Sequence, residues 1–227
     1  MTTWDWIFRI FTTYYPFFLE GIRFTLFIAV FSVIFGVILG LFVALLRLSS
    51  IAPLRWLAAA YIDFLRSTPA IVQVSLFYFG FSPFLKIPPL FGIPAPVYYG
   101  IIALSINSSA YVAEIMRAGI QSVDKGQLEA ARSLGMPHRL AMRLIILPQA
   151  VKNIIPALGN EFVVVTKETA IVSIIGVGEL MYKAGVIRGI TYRGLEPYLI
   201  VTVFYFIIVF TLSKLVGLLE RRMRQSD

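Results

Sequence analysis

Apolar residues run in long blocks along this chain, broken at a few places by charge or proline. Residues 22–46 contain no charge after Arg23, which predicts a helix long enough to cross a bilayer. Residues 58–81 form a second block interrupted by Asp63, Arg66 and Pro69, so only its latter part reads as lipid-facing helix. The third, 97–115, is polar at Asn107, Ser108, Ser109 and Glu114. The fourth, 158–176, carries Glu161, Lys167 and Glu168, and the fifth, 198–219, has Lys214 as its charge. Five spans put the termini on opposite sides. Ahead of the first block stand Trp4, Trp6, Phe8, Phe11, Tyr14, Tyr15, Phe17 and Phe18, amphipathic aromatics that suit the headgroup layer. They predict an interfacial helix, with a ragged extension of the first span as the other reading. No basic start or small-residue cleavage site marks them as a signal peptide. The prolines of 83–96 predict an irregular loop.

Composition narrows the class. The chain has 227 residues, 59% of them hydrophobic and 14% charged, against about 25% charged in soluble domains. A soluble enzyme, a disordered chain and a secreted disulfide scaffold are thereby excluded, and with no cysteine there is no thiol nucleophile or zinc-cysteine site. The expected fold is an all-α integral membrane protein, a single domain over 1–227. The formal charge of +8 reads as cationic loops on the cytoplasmic side, not as a nucleic-acid surface. With the C-terminus inside, twelve of the 20 Lys and Arg residues are cytoplasmic and six external, Lys167 and Lys214 lying within spans. The N-terminus is therefore expected outside.

The one sizeable polar stretch is 117–157. Residues 125–134 read as a short helix ending at Gly135, suited to a left-handed cap. Pro137 then opens a second helix that runs toward Leu147 and stops before Pro148. Glu129, Ala130 and Ala131 precede the Gly-Pro corner, and small side chains let a partner approach the backbone closely. His138, beside Pro137, is given no role.

These residues resemble the EAA motif of ATP-binding-cassette importer permeases: Glu129-Ala130-Ala131, three residues, Gly135, nine residues, Ile145, one residue, Leu147-Pro148. Further strings resemble the polar-amino-acid branch (histidine, glutamine, arginine type) of that family. They are Arg66-Ser67-Thr68-Pro69 with Gln73, Asn107 through Glu114, Lys125-Gly126-Gln127, and Gly159-Asn160-Glu161 with Lys167-Glu168-Thr169. Ser67 departs, since the branch usually has Gly there. The resemblance implies a type I importer permease of the bacterial inner membrane, with about five transmembrane helices. It implies that Glu129, Ala130, Ala131, Arg132 and Gly135 form a coupling helix seated on a nucleotide-binding ATPase subunit. It also implies a second permease copy or paralogue, an extracytoplasmic substrate-binding protein and an amino-acid substrate. The chain carries no G-x-x-x-x-G-K-[ST] loop, so ATP-Mg is expected on the partner and no cofactor on this chain.

Ionisable groups at membrane depth are costly and point to function or to pairing. At 100° per residue Asn160, Glu161, Val164, Lys167 and Glu168 share about one third of the fourth helix. Such a stripe suits a zwitterionic amino acid, or else Lys167 and Glu168 pair with neighbouring helices. Asn107, Tyr111 and Glu114 share a face of the third span. Asn107 is either a pathway contact or interhelical glue, and Glu114 an ion-pair anchor for Arg117. Thr68 and Pro69 are expected to break the second span, with Gln73 offering a donor and an acceptor there, although a proline that only tilts the helix remains open. Two other functions compete. An ATP-independent secondary transporter or channel is opposed by the missing inverted repeat and the projecting loop. A membrane enzyme lacks His or Cys in any span to act as base or nucleophile.

Overall fold

The computed structural model describes residues 2–224, and among them the regular structure is helical. Helix α1 (Thr3–Arg47) starts from a capping box, in which Thr2 Oγ1 accepts from Asp5 N and Asp5 Oδ2 accepts from Thr2 N. It continues unbroken through Pro16 into the first apolar block. The aromatic segment is thus the first part of one 45-residue helix and not a separate interfacial helix. The one glycine between the two parts, Gly21, is buried in close contact with Leu180 rather than capping a helix, and a single proline does not stop a helix held by packing on both sides.

Helix α2 (Ala52–Ser67) and α3 (Ala70–Phe81) are separated at Thr68-Pro69, where Thr68 is extended (φ −114°, ψ 142°), as the residue before a proline prefers. The break expected in the second block is present. The stretch between α3 and α4 (Ala95–Gln121) is irregular, with a single bridge between Leu90 and Ile93. α4 is the central element. Gly36 and Gly40 of α1 let that helix approach it so closely that a Cβ at Gly40 would meet Val112 Cβ at 2.7 Å and Ser109 O at 2.8 Å. Small residues facing small residues (Ser105, Ser108 and Ser109 on α4) are the usual basis of close helix contact in lipid.

The polar stretch holds α5 (Lys125–Ser133) and α6 (His138–Ala141). The second of these does not stop before Pro148. A π-turn, Met142–Ile146, joins α6 to α7 (Leu147–Glu168), and a 3₁₀ turn, Thr169–Ile175, extends α7 to Gly176. The reason is local: Leu147 N donates to Met142 O, five residues back, and the widened turn makes room for a proline ring that has no N–H to place. One helix therefore runs from His138 to Ile175. Beyond Gly176 lies α8 (Leu180–Thr191), then α9 (Glu196–Arg224).

Among the described residues three helices are long and apolar enough to cross a membrane: Thr3–Arg47, His138–Ile175 and Glu196–Met223. The shorter Ala70–Phe81 is also apolar. α4 falls outside that set because its Ser, Asn and Glu residues lower its hydropathy, and its burial among the other helices compensates them. The core forms around α4, with Ile28, Val97, Leu104 and Val172 in one cluster and Val43, Ala58, Val112 and Ala113 in another. A third, of Ile10, Phe18, Leu180, Ile187 and Val201, joins the start of α1 to α8 and α9.

Glu179 secures that third cluster. Its fully buried carboxyl accepts from Met181 N (2.8 Å) and Tyr182 N (2.7 Å) at the head of α8, and from Tyr205 OH (2.8 Å) on α9. Leu180 N donates to Thr25 Oγ1 of α1 at 3.3 Å. Three donors converge on one acceptor group, so Glu179→Gln, which turns an amide N–H toward donors, is expected to lower stability by about 1.5–3 kcal/mol. A fall in the thermal midpoint of the detergent-solubilised protein is the readout.

Candidate functional site

The break between α2 and α3 leaves helix-terminal carbonyls without intrahelical donors. Gln73, one turn into α3, supplies them. Its Nε2 donates to Leu65 O (2.7 Å), Thr68 O (3.1 Å) and Thr68 Oγ1 (2.7 Å). Thr68 Oγ1 in turn donates to Phe64 O at 2.9 Å. The Gln73 carbonyl oxygen accepts from Asn107 Nδ2 of α4 at 3.0 Å. Thr68, Gln73 and Asn107 are thus brought together, as a network that holds the broken helix against α4. The Gln73 amide is committed to the backbone, a use the sequence did not reveal. A cavity of about 150 Å³ adjoins the break, lined by Thr68 and Gln73 among apolar residues that include Phe64, Phe77 and Ile106.

Below this network on α4, Tyr61 OH of α2 lies 2.7 Å from Ser109 Oγ. The Arg66 guanidinium sits over the Tyr111 ring at 5.5 Å and 3.9 Å from Glu114 Oε2. Glu114 accepts a forked pair from Arg117, 2.7 Å from Nη2 and 3.1 Å from Nε, so it is the ion-pair anchor expected of it. Tyr111 belongs to this charged group rather than to the Gln73–Asn107 network.

The fourth-span stripe divides. Glu161 is buried and accepts from Ser108 Oγ of α4 at 2.6 Å. Asn160, Val164 and Lys167 lie on the exposed flank of α7, and Glu168 is half-buried. Neither the Lys167 nor the Glu168 side chain makes a hydrogen bond or salt bridge among the described residues. The neighbouring helices of this chain therefore supply no partner for either charge. Lys167 opens onto a cavity of about 500 Å³ bounded by α7, α8 and α9, with Thr202 and Tyr205 on its far side.

At the other end, α5 is capped by Asp124, whose Oδ1 accepts from Gly126 N at 2.6 Å. It closes in a Schellman turn: Gly135 N donates to Arg132 O (3.0 Å) and Met136 N to Ala131 O (3.1 Å), with Gly135 at φ +82°. Arg132 Nη1 donates to Met136 O at 3.0 Å and braces the turn. Leu128 packs on Val123 and Ile146, leaving Glu129, Ala130, Arg132 and Gly135 exposed. Ala131 is buried, so its small size serves the packing of α5 on its own chain and not an approaching surface. Leu134, which the sequence reading passed over, is 84% exposed at the tip. An apolar residue directly before the capping glycine of a polar helix was the available signal.

The chain matches the family described as binding-protein-dependent transport system inner membrane component over residues 36–225. It is 42% identical over 213 residues to the arginine transport system permease protein ArtQ of Bacillus subtilis (strain 168), covering 93% of this chain and 94% of that protein. It is 41% identical over 214 residues to the putative glutamine transport system permease protein GlnP of Rickettsia conorii (92% and 95% covered). Among solved structures it resembles an amino acid ABC transporter with histidines, at TM-score 0.86 and 51% identity, over 93% of this chain and 96% of that one. The inward-facing MetNI methionine ABC transporter shares the fold at TM-score 0.77 and 21% identity, over 93% and 98%.

Proposed function

The chain belongs to the binding-protein-dependent transport system inner membrane components, and on that premise we propose that it is the permease subunit of an ATP-driven importer of polar amino acids. The observation that carries this reading is α5: a capped, exposed helix with Glu129, Ala130 and Arg132 on its surface and Leu134 at its tip, closed by the Gly135 turn. Such an element suits a cleft on a nucleotide-binding subunit, which would hold ATP-Mg and hydrolyse it. Amino-acid transport by relatives at 38% identity or above supports the substrate class.

Translocation is assigned to the exposed flank of α7. A cation in contact with lipid at that depth has nothing to offset its lost hydration. Asn160 and Lys167 are compensated when a second permease copy or paralogue covers that flank and a water-filled path lies between the two. An extracytoplasmic binding protein would deliver the amino acid to the end that bears α8. The proposed orientation is N-terminus outside and C-terminus in the cytoplasm of a bacterial cell, with five membrane crossings.

The test is co-purification with a nucleotide-binding subunit, followed by ATP hydrolysis of the reconstituted complex across a panel of amino acids. Stimulation by arginine-, histidine- or glutamine-like substrates is expected, and uptake that proceeds without ATP would overturn the reading. Topology is checked separately. The chain has no cysteine, so single cysteines at positions 86 and 126 report side directly. An impermeant thiol reagent is expected to label the first from outside and the second only from the cytoplasm.

A further inference from the structure

Two arginines converge on one tryptophan at the start of α1. The Arg193 guanidinium carbon lies 4.1 Å from the centre of the Trp6 ring and that of Arg9 lies 5.4 Å from it. Arg193 reaches this position because α8 ends at Tyr192 in the left-handed conformation (φ +55°), which turns the chain back over α1. Neither guanidinium makes a hydrogen bond or salt bridge among the described residues. Asp5, four residues before Arg9, is committed to the Thr2 capping box, and Glu196, three residues after Arg193, is buried and makes no salt bridge with it. Two fixed cations with their donors unspent form a site for an anion, and the planar fork of arginine fits phosphate oxygens in pairs.

The surroundings select the anion. Arg193 stands three residues before the start of α9, level with the end of a membrane-crossing helix. At helical spacing on α1, Trp4, Phe8, Phe11 and Tyr15 are exposed, Phe11 at the edge where its ring meets Phe204 of α9, while Ile10 and Phe18 are buried against α8 and α9. An exposed aromatic stripe beside a cationic pair is the arrangement of a segment lying at the headgroup layer, with apolar surface for acyl chains and charge for phosphate. We propose that Arg9 and Arg193, gathered on Trp6, bind the phosphate of an anionic phospholipid in the leaflet that holds the N-terminal end of α1. The pair would fix the first turns of α1 to α8 through the lipid.

The test uses the purified full-length assembly in nanodiscs of mixed phosphatidylglycerol and phosphatidylcholine, counting retained phosphatidylglycerol by native mass spectrometry. Because it reads lipid and not transport, its result is independent of the function proposed above. Arg9→Gln and Arg193→Gln are each expected to lower phosphatidylglycerol retention about fivefold, the factor for one basic side chain at an anionic surface. The double variant is expected to lose retention almost entirely, with Lys86→Gln unchanged. Equal retention in the double variant overturns the proposal. So does displacement of the lipid by inorganic phosphate, which would make this a free-anion site. Unchanged retention combined with weaker stimulation by the binding protein would overturn it in favour of a protein-docking surface.

Discussion

Lys167→Met is expected to raise the amino-acid concentration that half-stimulates ATP hydrolysis by about ten- to a hundredfold, the range for losing one charge-assisted hydrogen bond of about 1.5–3 kcal/mol. Basal hydrolysis and detergent stability should stay near wild type. The reason is the absence of any partner: among the described residues Lys167 gives up no salt bridge or hydrogen bond when its charge is removed. Methionine keeps most of the stem, so packing along α7 is little changed. Glu168→Gln is expected to follow Lys167→Met in direction. Glu161→Gln is expected to differ, because Glu161 is buried and held by Ser108 Oγ at 2.6 Å. Its replacement should lower thermal stability and leave the ranking of substrates alone. Measuring both properties on the three variants decides the matter: an unchanged substrate response in Lys167→Met with a loss of stability would remove α7 from substrate recognition.

The second large effect is expected at Gly135. Its φ of +82° is sterically closed to β-branched residues, and a left-handed conformation costs an L-residue about 1–2 kcal/mol. Gly135→Val should therefore open the Schellman turn, free the Ala131 and Arg132 carbonyls, and release Leu134 from the tip. Transport and substrate-stimulated hydrolysis are expected to fall about tenfold or more, since about 1.4 kcal/mol is a factor of ten in the docked population. The variant should still insert, because no helix long enough to span contains this turn. Leu134→Asp, which leaves the turn intact, should weaken co-purification of the ATPase subunit. Wild-type coupling in both variants would exclude α5 as the link.

Much of this could be read from the order of residues. The helix break at Thr68-Pro69 and the cap at Gly135 follow from backbone rules that act over one turn, and both are present. The Glu114–Arg117 pair is an i,i+3 contact on one helix and was legible for the same reason. What stayed hidden depends on other elements. Pro148 looks like a stop until the π-turn is seen to accommodate it. Ala131 looks like a docking surface until α5 is laid on its own chain. Gln73 looks free for a ligand until the carbonyls of Leu65 and Thr68 claim its amide. The fourth-span stripe was correct as an angular pattern, but only the packing of α4 shows that Glu161 turns inward while Lys167 does not.

The uninterrupted helix from His138 to Ile175 has a mechanical meaning. At 1.5 Å per residue its 38 residues make a rod about 57 Å long, with one end beside α5 and Lys167 near the other. Over that length a tilt of about 6° about one end swings the opposite end through about 6 Å, more than one helical turn of travel. The π-turn sits near the end beside α5, close to the base of this lever, where a compliant joint absorbs misalignment without shortening the stroke. Under the proposed function, a small closing motion at the base would arrive at Lys167 as a displacement on the scale of an amino-acid side chain, with no chain of intervening contacts needed to carry it.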